Sequence, residues 1–259
     1  MANETAAAVF VYENRGAKLA WKVPTKPGNV RRFALDHSGN LYENCGDSNL
    51  CEYGPHNKGL IRQIRGYGSL FALDTAGNLY LVRFGDVAIY APGSTAPERT
   101  ITNGIDYPQL LALDTQGNLY VANGYTGSQR APNVTVYAPG ASSPTRTITS
   151  GLTAPWAMTT DSANNLYVLN ECADSGGCTN SQNNVAVYAP DSDSPTVVTN
   201  GLDFPLAIAV DGSNNLYVAN VGSSLSDPGS VTVYTSGTYS LTRTVTRNVD
   251  NPRYLALSP

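Results

Sequence analysis

The stretch Asp114-Thr115-Gln116-Gly117-Asn118-Leu119-Tyr120 decides the fold, because its frame recurs at Asp36 to Tyr42, Asp74 to Tyr80, Asp161 to Tyr167 and Asp211 to Tyr217. Successive copies lie 38, 40, 47 and 50 residues apart. A second phrase, an apolar run closing on tyrosine, ends at Tyr12, Tyr53, Tyr90, Tyr137, Tyr188 and Tyr234. Internal repeats of about 40 to 50 residues that hold several short strands mark the blades of a propeller.

Each repeat reads as four strands: A such as Leu111 to Asp114, B such as Asn118 to Asn123, C such as Val134 to Tyr137, and D such as Arg146 to Thr149. Strand B is apolar at consecutive positions, as expected where neighbouring sheets cover both faces. Between A and B the Asp accepts from backbone N–H groups of its own turn. Three residues later stands Gly39, Gly77, Gly117, Asn164 or Asn214, the two residue types that most readily take positive φ. A Ca²⁺ loop is the alternative use of these Asp and Asn residues.

Six A, C and D strands can be counted, the last A at Tyr254 to Leu257, but only five full B strands. Met1 to Asn3 resembles Val121 to Asn123, so the expected fold is an all-β, six-bladed propeller of four-stranded antiparallel blades. It forms one domain over 1–259, with blade six split between 1–25 and 252–259. Sharing a blade between the two termini closes the ring and hides strand edges. The Asp-turn segment of that blade is missing, which points to an excised domain.

The phrases Pro108 to Val121 and Pro205 to Val218 follow Pro-x-x-(Leu/Ile)-Ala-(Leu/Val)-Asp and then Gly/Asn-Asn-Leu-Tyr-Val. In these the chain resembles the NHL-repeat group of six-bladed propellers, which includes gluconolactonase-like enzymes, over essentially its whole length. The resemblance implies the fold. Hydrolases, lyases, protein-binding and RNA-binding modules share that fold, so it implies no single activity.

The 259 residues carry a formal net charge of -4, which argues against a surface built on phosphate contacts, and no nucleic-acid partner is expected. Apolar runs reach about seven residues against the roughly 20 a membrane helix needs, so no membrane insertion is expected. No basic-then-apolar leader opens the chain. The four cysteines form two equally spaced pairs, Cys45 with Cys51 and Cys172 with Cys178, each between a B and a C strand. Two local disulfides are expected, and with them a secreted or periplasmic protein. A tetrathiolate zinc site would need sulfurs from opposite blades.

Connections alternate between the two ends of the blades, so B–C and D–A loops share one face. The long inserts, Asn44 to Leu50, Asn123 to Asn133, Asn170 to Asn184 and Asn220 to Ser230, all fall there, which marks it as the working face. Five residues before each turn Asp, or its equivalent Ser258, strand A presents Arg31, Ser69, Gln109, Trp156, Leu206 and Arg253 to the central mouth. The framework around this position is nearly constant while the position itself varies. Arg31 and Arg253 are placed to hold a carboxylate or phosphate, and Trp156 to stack on an apolar or sugar ring. The plainer use has both Arg paired with local Asp such as Asp250. Tyr67, Tyr107 and Phe204 share one D–A position and Tyr125 lies in an insert, an aromatic rim suited to a carbohydrate or peptide. Asp106, Asp203 and Asp250, and the Asn residues that end strand B (Asn3, Asn44, Asn123, Asn170 and Asn220, with Arg83 in blade two), read first as caps and loop anchors.

Chemistry is constrained by what is missing. His37 and His56 fall on the opposite face, so neither a histidine-bound zinc lyase nor a His-activated nucleophile is expected at the mouth. Gluconolactonase-like enzymes hold a divalent metal with Glu, Asn and Asp around the channel, and this mouth has no carboxylate; a loop pair, for example Glu171 with Asp174, has no spacing to recommend it. The expected function is recognition of a glycan, peptide or protein by a monomer without cofactor or metal and without catalytic residues. A metal-assisted hydrolase or lyase, lactonase-like and with a cation such as Ca²⁺, is the alternative.

Overall fold

Each of the five Asp phrases closes a tight turn in the computed structural model, which describes residues 8–13, 18–24, 33–45, 49–55, 59–65, 70–83, 85–124, 131–171, 183–222, 227–247, 249–253 and 255. In the turn at Asp161, Oδ1 accepts from the N–H groups of Ala163 (2.9 Å) and Asn165 (2.8 Å), and Oδ2 from Asn165 Nδ2 (2.8 Å) and the Tyr167 hydroxyl (2.9 Å). The position three after the Asp is left-handed at all five turns, with φ of 64° at Asn164 and 62° at Asn214. Both carboxylate oxygens thus serve the turn. At Asp211, burial pushes the carboxyl pKa up, but bonds from Asn215, Tyr217 and Ser213 outweigh it and hold the group below the ordinary Asp value.

The turns join strands in antiparallel order. An N-terminal hairpin pairs β1 (Ala8–Glu13) with β2 (Lys18–Pro24). The first four-stranded sheet is β3 (Phe33–Leu35), β4 (Leu41–Asn44), β5 (Asn49–Tyr53) and β6 (Leu60–Arg65). The second is β7 (Phe71–Leu73), β8 (Leu79–Val82), β9 (Val87–Tyr90) and β10 (Arg99–Ile101). The third is β11 (Pro108–Leu113), β12 (Leu119–Asn123), β13 (Asn133–Tyr137) and β14 (Arg146–Ile148). The fourth is β15 (Pro155–Thr160), β16 (Leu166–Asn170), β17 (Asn184–Tyr188) and β18 (Thr196–Val198). The fifth is β19 (Pro205–Val210), β20 (Leu216–Asn220), β21 (Ser230–Tyr234) and β22 (Leu241–Val245).

Among the described residues five four-stranded sheets form, where six were expected. The sixth is a two-stranded hairpin made of the C and D segments read from the N-terminus. The reason is local: the Asp turn that nucleates an A–B pair is absent there, and its expected partner at 254–257 lies outside the described residues apart from Leu255. Strand A also begins earlier than expected in the third sheet, at Pro108.

The chain divides into one compact unit of Met1–Leu111 with Gly140–Ser143, and a second of Ala112–Pro139 with Pro144–Pro259. In the first unit, Tyr42, Leu50 and Ile64 pack on Phe71, Leu79, Leu81, Ala88 and Tyr90 of the next sheet. Beside them Glu52 and Arg62 pair in the interior, and Arg62 also donates to the carbonyls of Ala91 (3.1 Å) and Ser94. In the second unit, Tyr167, Leu169, Val185, Val187 and Val198 pack on Ile208, Leu216, Val218 and Tyr234. The left-handed Asn residues join sheets there. Asn164 Oδ1 accepts from the N–H (3.0 Å) and hydroxyl (2.7 Å) of Thr115, and Asn214 Oδ1 from those of Ser162 (3.2 and 2.8 Å). Asn replaces Gly in these turns because its side chain reaches the preceding sheet.

Cys45 and Cys51 form a disulfide with Cα atoms 5.7 Å apart. Its place in the register departs from the sequence expectation. Cys45 bonds to Asn49 across the hairpin and Cys51 lies within β5 opposite Glu43. These are the positions of Asn123 and Thr135 in the third sheet, where Asn123 Nδ2 donates to Thr135 Oγ1 at 3.0 Å. Asn220 and Thr232 repeat that bond at 3.1 Å. The disulfide therefore replaces a hydrogen bond between two central strands. Asn44, by the same register, matches Ala122 and not the strand-ending Asn residues. We expect Cys45→Ala with Cys51→Ala to lose roughly 2 kcal/mol, and Cys45→Asn with Cys51→Thr to recover about 1 kcal/mol of it. Urea unfolding of the three proteins measures this, and an Asn/Thr pair no more stable than the Ala pair would refute the equivalence. Cys172 and Cys178 lie outside the described residues. In the sequence Cys172 follows the strand-ending Asn170 by two positions.

Candidate functional site

The position singled out at the start of strand A is where the sheet breaks register. Pro155 pairs with Asn170 and Ala157 with Leu169, leaving Trp156 as the extra residue of a bulge. Pro205 pairs with Asn220 and Ala207 with Ala219, leaving Leu206 in the same situation. A bulge bends its strand and re-aims the extra side chain, and such devices concentrate beside functional sites. Trp156 is 41% exposed, among the few large apolar side chains so presented, while Leu206 is half-buried. Strands β15 and β19 lie side by side in the second unit. The same position in the third sheet is the half-buried Gln109, and Arg253 at the C-terminal end is exposed. The ion pair of Arg253 with Asp250 that the sequence allows is not formed among the described residues.

The D–A loops leading into these strands are shaped by strain and by asparagine. Tyr107, Phe204 and Asn251 hold equivalent places before Pro108, Pro205 and Pro252, with φ of 50°, 48° and 45°. A bulky residue with positive φ before proline is uncommon and persists only where its surroundings hold it. Those surroundings are visible at Phe204: its carbonyl accepts from Val221 N (3.1 Å) and that of Asp203 from Gly222 N (3.2 Å), at the start of the B–C insert. Asn251 N in turn donates to Pro228 O at 2.8 Å. Tyr107 is 62% exposed and Phe204 half-buried.

The strand-ending asparagines supply the remaining ties. Asn170 accepts from Thr153 N (3.0 Å) and Ala154 N (3.3 Å) and donates to Gly151 O (3.0 Å), and Asn220 accepts from Asp203 N (3.0 Å). They anchor loops, as read from the sequence. In the second sheet Arg83 takes this place and pairs with Asp86 at 2.6 Å. Within the second unit, D–A loops and B–C inserts are thus bound together at one end, while A–B turns and the Ser236 N–H that donates to Asn215 Oδ1 occupy the other.

Arg31, Ser69, Tyr67, Tyr125, Cys172, Cys178 and Asp174 lie outside the described residues. Two features were missed in the sequence. The bulge leaves no mark in composition, although a residue type that varies inside a constant frame is its trace. Asn251, aligned before Pro252, takes the same left-handed conformation as the aromatics. The Cys45–Cys51 bridge is compatible with an oxidising compartment, and no helix among the described residues is long and apolar enough to cross a membrane.

No family model and no curated protein matches the chain. Among solved structures, it is similar to the hydrazine synthase of Kuenenia stuttgartiensis, a β-propeller protein, with a TM-score of 0.65 at 14% identity, over 83% of this chain and 65% of that one. This chain thus spans a little under two thirds of that chain's length. It is one of 918 matching chains, and an architecture so widely shared selects no activity. The repeated four-stranded antiparallel sheets together with this likeness show a β-propeller fold.

Proposed function

We propose that the chain is an extracytoplasmic binding propeller that recognises a ligand through its D–A loops and B–C inserts. It is of the NHL-like kind. The ligand combines an apolar or sugar ring, stacked on Trp156, with an anionic group held by Arg253, and lies against Phe204. The observation that supports this reading is Trp156, exposed on a bulge in a strand whose neighbours are framework. Exposing tryptophan has no benefit for folding, and such side chains dominate recognition where they are found.

Glycan and peptide arrays probed with the labelled chain provide the test. We expect saturable capture of a ring-bearing anionic ligand, weakened on the order of tenfold or more by Trp156→Ala. The side chain is exposed, so the variant folds. A captured ligand whose affinity is unchanged in Trp156→Ala would remove the assignment.

A further inference from the structure

At the third position of strand B, four blades carry a buried aliphatic side chain: Leu81, Val121, Val168 and Val218. Blade one carries Glu43 there, and it is 1% exposed. The Tyr53 hydroxyl donates to its carboxyl group, and Oε2 has no hydrogen-bond partner among the described residues. In the sheet register Glu43, Cys51 and Gln63 lie in one row, so the carboxyl shares a face with the Cys45–Cys51 disulfide. Tyr53 and the exposed Arg65 are the other titratable or charged residues on that face. Glu52 and Arg62 lie on the opposite face and pair with each other. An acid stands where the repeat calls for hydrocarbon, and among the described residues no cation pairs with it.

We propose that Glu43 makes the first blade a pH-sensitive element, closed while the carboxyl is protonated and opening locally at β4 and β5 when it ionises. A buried carboxylate without a counter-charge is too costly to keep, so it either holds its proton or reaches water. Burial, only partly offset by the Tyr53 bond, pushes its pKa from 4.5 to about 7. The folded blade therefore keeps a proton that the open blade has released. Its stability is full below pH 4.5 and falls as pH rises through about 7. The other blades, aliphatic at this position, have no such dependence, so opening is confined to the sheet that carries the bridge.

Hydrogen exchange of the intact chain between pH 5 and pH 8, corrected for intrinsic rates, tests this. Protection in β4 and β5 is expected to fall on the order of tenfold to a hundredfold across that interval. Protection in β16 and β17, the same strands with Val168 in place of the acid, stays level, and Glu43→Gln levels β4 and β5. Parallel pH dependence of the two strand pairs in the native chain would overturn the proposal without any variant. So would a slope retained in Glu43→Gln.

Discussion

Asp161→Ala is expected to destabilise the protein by about 3 to 4 kcal/mol. The side chain is 5% exposed, and its four bonds satisfy two backbone N–H groups, the Asn165 amide and the Tyr167 hydroxyl. Removing it strands the buried Tyr167 hydroxyl and the half-buried donors of Asn165, which costs more than the net gain of the bonds themselves. Burial and the Tyr239 and Asp161 contacts already raise the Tyr167 pKa well above its ordinary value, so that hydroxyl keeps its proton and needs an acceptor. Loss of the turn also releases Asn164 from Thr115, weakening the junction with the preceding sheet. Asp36→Ala is the comparison. That Asp is half-buried and accepts from Ser38 and Asn40, with no recorded bond to the strand-B tyrosine, and about 1 to 2 kcal/mol is expected. Chemical denaturation of both variants decides it, and equal losses would mean that the tyrosine bond contributes nothing.

Gly229→Ala is expected to cost about 3 kcal/mol or more, combining left-handed strain with a backbone clash. Gly229 has φ of 77°, and a Cβ there would stand 2.3 Å from Asn220 O and 2.8 Å from Pro252 Cδ. Asn220 is fixed within β20 opposite Ser230, so the obstacle cannot turn away as a side chain would. The variant must shift the blade-five insert, whose Pro228 carbonyl holds Asn251 beside Arg253. Gly237→Ala, with φ of 76° and open space around the new atom, isolates the strain and is expected to lose about 1 kcal/mol. Similar losses for the two would show that the close approach at Asn220 is relieved without consequence.

The repeated turn was legible because each of its residues has a local physical reason. Asp caps, Gly or Asn takes positive φ, and Asn and Tyr bond back to the carboxylate, all within seven residues. What depends on a neighbouring sheet was not. Asn164 and Asn214 read as tolerant turn residues, yet their amides join sheets, and only the packed structure brings Thr115 and Ser162 to them. Counting residues placed Cys45 and Cys51 in a loop between strands B and C, whereas strand register puts them at the positions of Asn123 and Thr135. The expected sixth four-stranded sheet followed from counting A, C and D segments, but without an Asp turn the N-terminal segments form a two-stranded hairpin. At the candidate site, Trp156 was found through its variability within a constant frame, while the bulge that presents it and the strained conformations of Tyr107 and Phe204 arise from backbone pairing that no local pattern encodes.

If recognition belongs to the end of the blades that carries D–A loops and B–C inserts, hydroxyl-radical footprinting of the whole chain, with and without the ligand captured on the arrays, will show protection at Trp156, Phe204 and Leu206 and in the loop segments 151–154 and 227–229, with the A–B turns at 162–163 and 212–213 unchanged. Protection of those turns with Trp156 left reactive would place the ligand at the opposite end and overturn the proposed site.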